Sequence, residues 1–103
     1  MAETEELFTY RLVPPRPTFV DDMTDAEAAA MSEHAEYWEQ LHAEGDVVVY
    51  GLVLEPGNPW GLCVVRAADR NAVEALGRAD PAVSSGTCTF AVGTMPRARL
   101  GPR

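Results

Sequence analysis

The sequence predicts an α+β domain of order β-α-β-β-α-β, with one antiparallel sheet and both helices on one of its faces. Three observations carry this reading. Four short apolar runs have the length and alternation of strands, at 7–13, 46–55, 60–67 and 87–95. Two intervening segments carry helix start signals. The four-residue link "PGNP" is short enough to make the second and third strands a hairpin.

Taken in order, "LFTYRLV" alternates Phe8, Tyr10 and Leu12 with Thr9 and Arg11, which is a strand with one drier face. "PPRP" ends it, because proline cannot continue a ladder. Residues 18–23 read as a loop. "TDAE" is a Thr-x-x-Glu capping box, so a helix starts at Thr24 and runs to about Glu44, where Gly45 stops it. "DVVVYGLVLE" is the second strand, "PGNP" a turn of its usual residues, and "WGLCVVRA" the third strand. Asp69 caps a short helix at about 70–79. "DPAVSSG" is an irregular connection and "TCTFAVGTM" the fourth strand. This order is the ferredoxin-like split βαβ arrangement. The second strand is apolar on both sides, with Val47, Val49 and Val53 alternating with Val48, Tyr50, Leu52 and Leu54. Helices cover one face of such a sheet, so the other calls for a partner, and a homodimer packed sheet to sheet meets that need.

Composition narrows the function classes. At 103 residues the chain is one domain, 1–103, with a real but modest core. Its formal net charge is −8, and most of its acids fall in residues 1–46. Nucleic-acid binding needs a basic stripe that replaces counterions, so no nucleic-acid partner is expected. Arg97, Arg99 and Arg103 read as a solvated C-terminus. The sequence contains no lysine, which excludes Schiff-base chemistry. Cys63 and Cys88 lack metal-ligand spacing and read as small buried hydrophobes; no metal and no cofactor are expected. "MAETEELFTY" has no apolar h-region, and the longest apolar run, "VVVYGLVL", is too short to span a bilayer. The expectation is a cytoplasmic protein with no membrane partner.

Residues 33–45, "EHAEYWEQLHAEG", hold the main chemical signal. Wound at about 100° per residue, His34 lies within the face that carries Ala30, Tyr37, Trp38 and Leu41. A ring there is either a core histidine with satisfied nitrogens or a general acid/base in a pocket. Asp80 is either the turn former of an Asp-Pro step or the acid that orients His34. His42 is eight residues from His34, the wrong spacing for a shared metal, and suits a helix C-terminus. Arg11, a charge in mid-strand, either binds a substrate anion or pairs across the sheet. Tyr50 and Trp60 are pocket walls or packing residues.

In this order and spacing the segments "EHAEYWEQLHAEGDVVVYGLV", "WGLCVVRA" and "ADPAVSSG" resemble the YciI-like (YCII-related domain) family, a branch of the dimeric α/β-barrel proteins. The resemblance covers about residues 7–96. His34 matches the family's helix histidine, His42 and Gly45 its helix end, Gly51 its strand glycine, and Asp80, Pro81 and Val83 its last motif. The sequence departs from shorter members in the longer segment "PPRPTFVDDMTDAEAAAMS" after the first strand, which would form a lid or lengthen the helix. The resemblance implies a dimer of ferredoxin-like subunits with a His–Asp pair in a pocket. The expectation is a small cofactor-independent lyase or isomerase acting on a small aromatic or lactone-like metabolite. His34 would be the acid/base and Asp80 its orienter, with Arg11, Tyr37, Trp38, Tyr50 and Gly51 as substrate contacts. A non-catalytic ligand-binding dimer and a cofactor-free monooxygenase are the rival readings.

Overall fold

The computed structural model describes residues 6–102. The acidic start of the chain, residues 1–5, and Arg103 lie outside the described residues. Eight elements follow one another: β1 (Glu6–Val13), α1 (Phe19–Asp22), α2 (Asp25–Ala43), β2 (Val47–Val53), β3 (Trp60–Ala67), α3 (Arg70–Ala79), α4 (Pro81–Ser84) and β4 (Thr89–Thr94). The strands form one sheet of order β2-β3-β1-β4, in which every neighbouring pair is antiparallel. The helices pack on one face. This is the ferredoxin-like order expected from the sequence.

The caps account for where the long helices begin. Thr24 accepts from the Glu27 amide at 3.1 Å, and the Glu27 carboxylate accepts from the Thr24 amide at 2.9 Å, closing the capping box of α2. Gly45, at φ 98°, lets the chain leave the helix in the left-handed region. The Asp69 side chain accepts from the Ala72 amide at 2.9 Å and starts α3.

Two connections are more ordered than their sequences suggest. The segment read as a loop at 18–23 contains the single-turn α1, which buries Phe19. The irregular connection 80–86 contains α4, with Pro81 in its first turn and Asp80 as N-cap. No helix among the described residues is long and apolar enough to cross a membrane.

The core lies between the helices and the sheet. Phe8, Tyr10 and Leu12 of β1 and Cys63, Val65 and Ala67 of β3 point into it, facing Trp38 of α2 and Val73 of α3. Gly77 of α3 sits so close to the Phe90 ring that an added Cβ would stand 2.5 Å from it. A register shift between Val47 and Val49 corrects the simple alternation expected for β2. Val47 pairs with Val65, whereas Tyr50 pairs with Cys63 and Leu52 with Gly61, so all three share the helix side. Val49, opposite Val64, falls on the other face. That face also carries Leu62, Arg11 and Ala91, and no helix of the described residues covers it.

Candidate functional site: a buried carboxylate and a histidine at an apolar cavity

Asp80 has no accessible surface. It closes α3 and caps α4, a position fixed by the Asp-Pro step, and its Oδ1 accepts from the Ala82 amide at 2.9 Å. Three side chains converge on the same carboxylate. Tyr10 donates its hydroxyl to Oδ2 at 2.8 Å from the central strand β1. Trp38 donates its indole N–H to Oδ2 at 2.7 Å. His34 donates from Nδ1 to both oxygens, at 2.9 and 3.0 Å. His34 and Trp38 are one turn apart on α2, which is why one carboxylate reaches both. Asp80 is thus both the cap at the Asp-Pro step and a hydrogen-bond partner of His34.

This set of donors decides the charge. Burial alone would raise the Asp80 carboxyl, but the hydrogen bonds from His34 and Trp38, the His34 charge and the Ala82 amide outweigh it and hold the group below its ordinary value. Tyr10 is pushed up by burial and by the Asp80 charge, so it remains a donor. An ionised carboxylate only accepts hydrogen bonds. Nδ1 of His34 must therefore carry its hydrogen, and the lone pair of the neutral ring is left on Nε2. Nε2 makes no hydrogen bond within the described residues.

His34 also lines a cavity of about 290 Å³ between the sheet and the first two helices. Its floor is Tyr10, Leu12 and Cys63; α2 adds Met31, Ala35 and Trp38, and β2 adds Tyr50 to Leu52. Its outer wall is Pro14, Phe19, Val20 and Met23, from the long segment after β1. Cys63 and Cys88 line it as buried thiols. Burial and the Asp80 charge push Cys63 up to about 12; burial, Asp80 and Glu27 push Cys88 to about 11. Among the described residues no three His, Cys, Asp or Glu side chains are grouped to hold a metal ion.

The expected site residues divide accordingly. His34, Asp80 and Trp38 meet, and Tyr50 and Gly51 line the cavity. A Cβ at Gly51 would meet nothing within 4 Å, so packing does not demand glycine there. Arg11 and Tyr37 do not line the cavity. Strand alternation turns Arg11 to the opposite sheet face, where its guanidinium carbon lies 3.9 Å from the centroid of the Trp60 ring. Tyr37 donates its hydroxyl to the Leu76 carbonyl at 2.7 Å and packs edge-on against Trp38, so it ties α2 to α3. His42 is exposed at the end of α2, with its ring beside Tyr50. Sequence reasoning missed Tyr10 as a ligand of Asp80. The available signal was a phenol on the drier face of β1, whose hydroxyl needs a partner once buried.

Fold and site together define a class: a ferredoxin-like domain with a His–Asp pair at the wall of an apolar cavity. The model of the YCII-related domain matches residues 7–95, and the chain belongs to that family. No curated protein matches. Several solved structures share the fold. One is the 5-chloro-2-hydroxyhydroquinone dehydrochlorinase TftG of Burkholderia phenoliruptrix in complex with 2,5-dihydroxybenzoquinone (TM-score 0.68, 17% identity, covering 89% of this chain and 95% of that one). A second is an uncharacterized protein of Thermotoga maritima (TM-score 0.58, 10% identity, 88% and 98% covered). A third is SnoaB, a cofactor-independent oxygenase of Streptomyces nogalater (TM-score 0.51, 17% identity, 97% and 99% covered).

Proposed function

We propose that the protein is a small cofactor-independent lyase or isomerase, with His34 as general acid/base and Asp80 as its orienter. One observation carries the reading: Nδ1 is held by an ionised, fully buried carboxylate while Nε2 is unbonded on a ring that lines the cavity. Nε2 takes a proton from a carbon next to a carbonyl, or from a ring hydroxyl. The electron pair released either shifts a double bond or expels a leaving group. The imidazolium then returns the proton to carbon or to the departing group. Asp80 keeps the neutral ring in the tautomer that can accept, and stabilises the cation that forms. The substrate class is a small aromatic or lactone-like metabolite, a reading supported by the likeness to TftG, a 5-chloro-2-hydroxyhydroquinone dehydrochlorinase.

The proposal includes a homodimer through the uncovered sheet face, where Val49, Leu62 and Val64 are supported by Ala91 and the Arg11–Trp60 stack. Light scattering on the purified protein should give twice the chain mass.

The catalytic reading is tested by incubating the protein in D2O with hydroxylated aromatics and lactones. His34-dependent deuterium uptake, elimination or double-bond shift supports it, with a loss of roughly 10²-fold or more in His34→Gln. Oxygen uptake with a phenolic substrate would indicate the oxygenase reading instead. Ligand binding with no turnover across the panel would indicate an accessory binding protein.

A further inference from the structure

The segment 14–23 is the cavity's outer wall, and it is held from outside by one side chain. Arg16 donates to both Glu27 oxygens, from Nη1 at 2.9 Å and Nη2 at 2.8 Å. It also donates from Nε to Asp22 Oδ1 at 2.8 Å and from Nη2 to the Asp22 carbonyl at 2.9 Å. Thr18 completes the knot by donating to the other Asp22 oxygen at 2.7 Å. Isolated surface ion pairs contribute little, but a bidentate fork in a network holds a geometry. Here it fixes the only turn of helix between β1 and α2, and therefore where Phe19, Val20 and Met23 stand.

The lining itself is informative. No arginine of the described residues lines the cavity, and the chain has no lysine. Among the described residues the one basic group there is His34, already paired with Asp80. A substrate carboxylate or sulfonate would lose its water and find no free cation, which is costly in an apolar site. The volume also sets a limit. An apolar cavity of about 150 Å³ holds one benzene ring, so the 290 Å³ here accommodates about two fused rings.

We infer that the cavity selects an uncharged ligand of at most two fused rings, and that Arg16, with Glu27 and Asp22, sets the size limit by pinning the Pro14–Met23 wall. This rests on the catalytic reading only for its choice of site; the selection by charge and size concerns binding. Arg16 is a positioning residue, because it does not line the cavity.

The test uses three fluorescent probes near pH 8: naphthol, the anionic naphthoate and the three-ring anthracenemethanol. The wild-type protein should bind naphthol at least about tenfold more tightly than either other probe. Arg16→Gln and Glu27→Gln should each raise the affinity for anthracenemethanol relative to naphthol. Glu27→Gln retains an oxygen for the capping box, so it frees the wall without removing the start of α2. A merely structural role would weaken all probes together and leave that ratio unchanged. Naphthoate binding as tightly as naphthol would overturn the charge selection. An unchanged ratio in both variants would overturn the role of Arg16. Neither result depends on turnover, and turnover that survives in His34→Ala with the probe preferences intact would count against the catalytic reading alone.

Discussion

Replacing Asp80 by asparagine keeps the shape of the side chain and removes its charge, and the four donors around it show what that costs. Asparagine offers one acceptor oxygen and an NH2 group that only donates. If the NH2 takes the Oδ2 place, Tyr10 can turn its hydroxyl to accept, but the Trp38 indole N–H faces a donor. If it takes the Oδ1 place, the His34 ring can change tautomer, but the Ala82 amide faces a donor. Either way a buried N–H loses its partner and the other bonds lose their charge assistance. Hydrogen bonds to a charged acceptor contribute about 1.5–3 kcal/mol each, so a total loss of about 3–4 kcal/mol is expected. For a domain of this size that lowers Tm by roughly 15 °C or more.

The effect has a defined pH dependence. The Asp80 carboxyl is held below its ordinary value in the fold, so its contribution to stability is present above the unfolded value and is lost as pH falls through the folded one. The gap between wild type and Asp80→Asn should therefore be full at neutral pH and narrow below about pH 4. Urea unfolding of both proteins between neutral and acid pH is the assay. A gap under about 1 kcal/mol at pH 7, or one that does not narrow in acid, would refute the account of Asp80 as an ionised acceptor.

Further expectations concern single contacts. Tyr10→Phe removes one donor and leaves the carboxylate three, so urea unfolding should show a loss of about 1–2 kcal/mol with the fold intact. Gly77→Ala drives a Cβ against the Phe90 ring and should cost about 1–3 kcal/mol, read by the same assay. Cys63 and Cys88, pushed up to about 12 and about 11, should resist a disulfide reagent at pH 8 in the native protein and react once it is unfolded. Val64→Asp places a charge on the uncovered sheet face; light scattering should then find a single chain at a concentration where the proposed wild-type dimer forms.

The strands and two main helices were legible because each rests on local signals: alternation in "LFTYRLV", a capping box at Thr24, a cap at Asp69. What escaped depended on contacts distant in sequence. The four residues of α1 are too few to show a helical period, and Phe19 is ordered by the core it enters. The shift after Val47 leaves no mark in a run of three valines, yet it decides which β2 side chains reach the cavity. Arg11 read from the sequence as either an anion ligand or a cross-sheet partner, and neither reading named the Trp60 ring that its guanidinium stacks on. The likeness to a known family made His34 and Asp80 legible as a pair. The four donors on Asp80 come from β1, α2 and α4, and no single segment could have shown them.

The account turns on which nitrogen of His34 holds the hydrogen when the ring is neutral. Nitrogen-15 NMR of histidine-labelled protein, at a pH where the ring has lost its charge, reads this directly. The structure predicts a protonated Nδ1 that keeps its correlation to the Asp80 carboxylate side and an unprotonated Nε2 open to the cavity. Hydrogen on Nε2, with Nδ1 bare, would contradict the claim, since the cavity would then face a donor and His34 could not act there as a base.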